Sequence, residues 1–113
     1  MHELGIMYHV VSQVLSVVKE NELEEVEAIV LQVGELASVV PRYLEACYPA
    51  AVDGTILENT ALEIEMLPAN ALCRTCRKVY GVVEHKETCP HCGAKGGELL
   101  SGQEFYIKEI RAY

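Results

Sequence analysis

The chain has 113 residues, half of them apolar, and its 17 acidic side chains outnumber nine basic ones, which gives a net charge of −8. That length suits one domain, or one domain with a small insert, and can enclose a hydrophobic core. The acidic balance disfavours nucleic acid as a partner, whereas cations or a basic protein surface suit it. No apolar run is long enough to span a membrane and no secretory segment opens the chain, so we expect a cytoplasmic protein.

The first predicted element is an amphipathic helix from residue 3 to about residue 20. Its apolar side chains recur at the spacing of one helix face, which would place Leu4, Met7, Tyr8, Val11, Leu15 and Val18 on the core side, and Val10, Val14 and Val17 widen that stripe. Residues 26–33 then form a strand that is apolar on both faces, and Gly34 closes it. Such a strand is typical of the centre of a sheet.

A second helix is predicted from Pro41 to Asp53-Gly54. Pro49 lies within it and cannot donate a helical hydrogen bond, so a kink or a split is expected there. Cys47 falls on its apolar stripe and is interpreted as a small buried hydrophobe. The following strand alternates apolar Leu62, Ile64 and Met66 with Glu63 and Glu65, which predicts one solvated acidic face.

The last predicted strand runs from Glu104 to Arg111. Phe105 and Ile107 share one face while Ile110 lies on the other, so a bulge near Lys108 would restore a single apolar side.

Two C-x-x-C pairs, Cys73 with Cys76 and Cys89 with Cys92, are separated by twelve residues and predict one structural zinc site. Each pair forms a tight turn that directs two sulfurs at one point, and Gly93 tolerates the positive φ that such a turn demands. Two disulfides are the alternative, but they need an oxidising compartment. Four protein sulfurs leave no open coordination position, so the metal is expected to stabilise structure without performing chemistry.

The predicted fold class is therefore α+β, with a small mixed three-stranded sheet, two helices and an inserted zinc-ribbon domain. We assign residues 1–68 and 103–113 to an α/β domain and residues 69–102 to the ribbon. Glycines and a proline flank the ribbon, which allows a domain-swapped homodimer, and the sequence does not decide whether one forms.

The first three residues, Met1, His2 and Glu3, are a candidate second metal site. The amine of Met1, the amide of His2 and its imidazole form fused, nearly planar chelate rings, which suit Ni(II) or Cu(II) better than zinc. Glu3 can supply a fourth ligand. The alternative is a frayed terminus in which Glu3 interacts with the helix dipole.

Taken together, these features resemble the HypA/HybF family of nickel metallochaperones for hydrogenase maturation. The resemblance rests on Met1-His2-Glu3-Leu4, Val33-Gly34-Glu35-Leu36, the Cys-Pro-His-Cys-Gly of the second pair, and a closing strand from Gly102 to Ile110. It implies that Met1, His2 and Glu3 bind nickel as transferred cargo and that the cysteines bind zinc. It also implies a partner GTPase resembling HypB, the hydrogenase large subunit as acceptor and, in some relatives, urease maturation proteins.

Other readings of the sequence remain open. A zinc-ribbon interaction module without nickel cargo is the competing function, and metal analysis would separate the two. An enzyme is not expected, because the chain shows no Ser-His-Asp set, Gly-rich phosphate loop or open zinc shell. His91 could replace a cysteine on zinc, but a solvated turn residue is the favoured interpretation; His85 ranks lower, and His9 is expected at the exposed edge of the first helix. The acidic run at Glu22, Glu24, Glu25 and Glu27 is interpreted as solvated.

Overall fold

The computed structural model describes residues 3–112. In chain order its elements are α1 (Glu3–Glu20), β1 (Val26–Gly34), α2 (Pro41–Val52), β2 (Ala61–Leu67), β3 (Asn70–Cys73), β4 (Val79–Gly81), α3 (Val82–His85), β5 (Gly97–Ser101) and β6 (Phe105–Ala112). One three-stranded sheet has the order β2-β1-β6, and a second has the order β4-β3-β5. The α+β prediction is confirmed; α3, a single turn of helix, and the second sheet belong to the ribbon.

The chain divides into two compact units. The first comprises the residues up to Leu31, Val39–Glu65 and the residues from Tyr106 onwards, and the second comprises Gln32–Ser38 and Met66–Phe105. The second unit is thus larger than the segment 69–102, because it also includes residues 66–68 and 103–105 and the stretch Gln32–Ser38, which ends β1 and forms the turn after it. Within the described residues, no helix is both long and apolar enough to cross a bilayer.

Helix α1 forms where predicted, and Met7, Val11 and Val18 of its predicted stripe are buried. Leu4 and Tyr8 are 40% and 51% exposed, so their predicted core positions were wrong. The buried side chains are Glu3, Met7, Val10, Val11, Val14 and Val18. The buried part of the apolar stripe lies toward Val10 and Val14, because α1 lies against α2. His9 is exposed, as expected.

Helix α2 begins at Pro41, as predicted, and runs unbroken to Val52. The expected split at Pro49 is therefore wrong. Pro49 lies in the last turn, where its missing N–H removes only one hydrogen bond before the helix ends. The buried face consists of Leu44, Tyr48, Ala51 and Val52. Cys47 is only half-buried, at the edge of that face, and so is not the core residue that was expected.

The middle strand β1 is buried on both faces, which confirms the prediction of a central strand. Its start is held by side chains of the same unit. The hydroxyl of Thr60 donates a 2.7 Å hydrogen bond to the carbonyl of Val26, and the Tyr48 hydroxyl donates a 2.9 Å bond to the carbonyl of Thr60. These buried bonds connect α2 to the sheet.

Strand β2 exposes Glu63 and Glu65, as its alternation predicted, but Met66 is 48% exposed and Leu67 takes the half-buried position. Glu65 accepts a 3.0 Å hydrogen bond from Lys108, and Glu63 forms an ion pair with Arg111. Lys108 and Arg111 are three residues apart in β6, yet their partners are two apart in β2. Both ion pairs reach across β1, which lies between β2 and β6 in the sheet, and the bulge near Lys108 stays a prediction.

Candidate metal centre

Four cysteines meet at one end of the ribbon. Cys73 is the last residue of β3, Cys76 lies in the turn before β4, and Cys89 and Cys92 lie in the turn after α3. Their sulfur atoms all lie within 4.8 Å of one another. Cys73 and Cys89 are buried, Cys76 is half-buried and Cys92 is exposed. The two C-x-x-C pairs therefore converge as their spacing predicted.

The sulfur separations fit a tetrahedral thiolate shell. Cys73 Sγ lies 3.6 Å from Cys92 Sγ, and Cys76 Sγ lies 3.7 Å from Cys89 Sγ. Zinc–sulfur bonds of about 2.3 Å place tetrahedral sulfurs about 3.8 Å apart, whereas a disulfide needs about 2.05 Å. All four thiols are free. The donor set thus suits a metal such as zinc and not two disulfides.

The two turns have matching backbones. The N–H of Arg77 donates to the carbonyl of Cys73, and the N–H of Gly93 donates to the carbonyl of Cys89, each at 2.9 Å. The residue after the second cysteine has a positive φ in both turns, 65° at Arg77 and 77° at Gly93. The positive φ expected at Gly93 is confirmed, and Arg77 adopts the same conformation without glycine's freedom.

Backbone groups and burial set the protonation of the thiols. The backbone N–H of Cys76, which points at Cys73 Sγ, lowers the pKa of Cys73 to about 6. A backbone hydrogen bond from Lys78 acts to lower the pKa of Cys76, but burial and the sulfurs around it raise that pKa to about 11. Because four neighbouring thiolates repel one another, full ionisation of the cluster needs a bound cation.

The cluster is also a large part of the ribbon's core. The buried residues there are Ala71, Cys73, Tyr80 and Cys89, with Cys76, Val82 and Ala94 packed against them. Strand β3 pairs antiparallel with β4 and β5, with Ala71 opposite Tyr80 and Leu99. So few large apolar side chains supply little burial energy, so a metal bound by the four thiols would add much to the stability of this unit.

Neither nearby histidine imidazole belongs to the four-residue cluster among residues 3–112. His91 is exposed. Its backbone N–H donates to the cluster, with the nitrogen 3.4 Å from Cys89 Sγ. His85 is exposed and lies 4.0 Å from the carboxylate of Glu84. Four sulfurs already fill the preferred shell of zinc, so both positions agree with solvated turn residues.

Of the three residues predicted to bind nickel, Met1 and His2 lie outside the described residues. Glu3 is the first residue of α1 and is 2% exposed. Its Oε2 atom lies 3.4 Å from the backbone N–H of Val40, and its Oε1 atom is buried without a hydrogen-bond partner among the described residues. Sequence reasoning missed both the burial and the contact with Val40. The burial had a signal, because Glu3, Met7, Val10, Val14 and Val18 lie on one helical stripe.

A closed four-thiol cluster in a ribbon, in a chain that also has a separate helix-and-sheet unit, is typical of small metal-binding proteins. Comparison with known proteins identifies the family. The family model described as "Hydrogenase/urease nickel incorporation, metallochaperone, hypA" matches residues 1–112. This chain belongs to the HypA family, which confirms the resemblance seen in its motifs.

Individual relatives agree with that assignment. Hydrogenase maturation factor HypA of Geobacter sulfurreducens is 36% identical over 110 residues, covering 97% of each chain. The HypA of Streptomyces avermitilis is 37% identical over 112 residues, covering 97% of this chain and 86% of that one. A solution structure of the nickel metallochaperone HypA from Helicobacter pylori has a TM-score of 0.66 at 18% identity, covering 99% and 97% of the two chains. That likeness supports the fold.

Proposed function

We propose that this chain is a cytoplasmic carrier that binds Ni(II) reversibly at Met1, His2 and Glu3. Together with a HypB-like GTPase, it delivers the ion to the large subunit of a hydrogenase. In this proposal, residues 1–68 and 103–113 carry the nickel. Zn(II) on the four cysteines of the ribbon stays in place as a structural ion.

One observation carries the nickel proposal. The carboxylate of Glu3 is buried, and one of its oxygens has no partner among residues 3–112. Burying an amide or hydroxyl without a hydrogen bond costs about 2–7 kcal/mol, and burying an ionised carboxylate costs more. A cation bound by the first residues would offset that cost. Glu3 follows His2 directly, so the oxygen lies within the reach of a ligand set built on the chain start.

The donor types explain why the two metals would occupy different places. An amine, an amide and an imidazole supply nitrogens in nearly one plane, which Ni(II) accepts readily and zinc does not prefer. Four thiolates supply soft ligands in a tetrahedron, which suits zinc and leaves no position for exchange. Cargo and structural metal are thereby separated by chemistry as well as by position.

Replacing His2 tests the proposal most directly. His2→Ala should abolish Ni(II) binding measured by calorimetry, while zinc content and helicity stay unchanged. His9→Ala is the matched control, because His9 is an exposed histidine on α1 that the proposal does not use. If His2→Ala bound Ni(II) as tightly as the parent at about pH 7.5, where an unperturbed histidine is neutral, the N-terminal site would be wrong.

Delivery is tested separately. Nickel-loaded protein should transfer its ion to the metal-free hydrogenase large subunit faster in the presence of the GTPase than without it. The zinc content of the donor should stay constant throughout. Equal transfer from free Ni(II) at the same concentration would contradict a carrier role.

A further inference from the structure

Glu3 lies in a place where an isolated carboxylate is costly. It continues the buried stripe of α1 ahead of Met7 and Val10, and it is 2% exposed. A buried carboxylate is normally paired or held by several hydrogen bonds. Here Oε1 has none among the described residues, and the distance from Oε2 to the Val40 nitrogen, 3.4 Å, exceeds the usual range of about 2.7–3.2 Å.

Val40 is the N-cap residue of α2, and no side chain of its own caps that helix. Its carbonyl accepts the first hydrogen bonds of α2, from the N–H groups of Tyr43 at 2.9 Å and Leu44 at 3.1 Å. The carboxylate of Glu3 therefore lies at the positive end of the α2 dipole, where a negative group is stabilising. Through one side chain, the beginning of α1 is joined to the beginning of α2.

We propose that the two oxygens of Glu3 serve different partners: Oε1 binds the nickel ion, while Oε2 holds the backbone N–H of Val40. Occupancy of the metal site is thereby transmitted to the first turn of α2. The inference rests on the proposed N-terminal nickel site. A bound ion fixes the orientation of the carboxylate, so the long bond to Val40 tightens and the N-cap becomes more ordered.

The first turn of α2 carries exposed side chains through which a partner protein could detect the more ordered N-cap. Arg42 and Tyr43 follow Val40 and Pro41, and both are exposed, with the guanidinium of Arg42 5.0 Å from the centre of the Tyr43 ring. Tyrosine and arginine are among the side chains enriched at protein interaction sites. A partner that contacts this pair would distinguish the loaded protein from the empty one.

Hydrogen–deuterium exchange of the Val40 amide tests the inference, with samples quenched and stripped of nickel before the readout. On addition of nickel chloride to the zinc-loaded parent, exchange at Val40 should slow by about three- to tenfold, the effect of strengthening one hydrogen bond. The amide of Asn21, which bonds the Val17 carbonyl at the far end of α1, is the internal control and should not respond.

Two variants separate the roles of the oxygens. Glu3→Gln keeps an oxygen for Val40 but loses the anionic metal ligand. Its nickel affinity should fall by at least about tenfold, and exchange at Val40 should no longer respond to nickel. Glu3→Ala should speed exchange at Val40 even without metal. If the parent binds nickel while Val40 is unaffected, or if Glu3→Gln responds like the parent, the inference fails and the nickel site stands. If the parent binds no nickel, both fail.

Discussion

Gly34 and Gly102 approach so closely that a Cβ atom on Gly34 would lie 2.1 Å from the carbonyl oxygen of Gly102. The contact is fixed by hydrogen bonds on either side: Gly34 N–H donates to the carbonyl of Glu104, and Leu36 N–H donates to that of Gly102, both at 2.7 Å. Glu35 accepts a 2.8 Å hydrogen bond from the N–H of Ala69 through its carboxylate. The segment after β1 thus holds the chain where it enters and leaves the ribbon.

Gly34→Ala should destabilise the protein by about 1–3 kcal/mol, because the new methyl group meets backbone that cannot rotate away. Gly5→Ala is the control: Gly5 lies in α1 with open space around it, so alanine there should stabilise by about 0.5–1 kcal/mol. Urea unfolding measures both. Equal changes in the free energy of unfolding for Gly34→Ala and Gly5→Ala would contradict the close approach at Gly34.

Removing one ligand should unfold the ribbon, since binding of a structural zinc supplies on the order of 10 kcal/mol. Cys73→Ala is expected to lose zinc and the amide protection of residues 72–93, while α1 and α2 keep theirs because they share a separate core. Exchange measurements resolve the two regions. Cys47→Ala, outside the cluster, should leave zinc content unchanged; normal protection of the ribbon in Cys73→Ala would refute a metal-dependent fold.

The left-handed backbone of Arg77 predicts a gain from glycine. In this left-handed conformation arginine destabilises the folded turn by about 1–2 kcal/mol relative to glycine. Glycine loses more conformational freedom on folding, which offsets part of that difference. Arg77→Gly should therefore tighten zinc binding by about two- to fivefold. Gly93→Ala, the equivalent position in the other turn, should weaken it. Chelator competition measures both, and the same sign for the two variants would be inconsistent with matching turns.

Tyr48 makes stability depend on pH in the alkaline range. Burial raises its pKa from 10.0 to about 12, so the neutral phenol stabilises the folded state fully below pH 10. That contribution is lost as pH rises through about 12, because the unfolded chain ionises first. At pH 8, Tyr48→Phe should cost about 1 kcal/mol through the lost bond to the Thr60 carbonyl.

Above pH 10 the cost of Tyr48→Phe should shrink and then reverse, because phenylalanine has no proton to lose. Urea midpoints of parent and variant at pH 8 and pH 11 give the comparison. Tyr43→Phe is a control for the loss of a hydroxyl on the same helix: Tyr43 is 44% exposed, so this substitution should change stability little at pH 8. A constant difference between parent and Tyr48→Phe at both pH values would contradict the raised pKa.

Much of the local structure and the cysteine cluster could be predicted from the residues alone. Turn chemistry acts over a few residues, so the C-x-x-C spacing and Gly93 were sufficient for the two zinc turns. Pro41 marked the start of α2, and a strand apolar on both faces had to be central in its sheet. The nickel residues stay a prediction, because Met1 and His2 lie outside the described residues.

Long-range packing decided the rest. Leu4 and Tyr8 belong to the same apolar stripe as Met7 and Val11, and the packing of α1 against α2 decides which edge of that stripe is buried. The same packing buries Glu3 and brings it to Val40, 37 residues away along the chain. Periodicity assigns a residue to a face of its own helix, whereas the partner of that face is set by the burial energy of the whole unit.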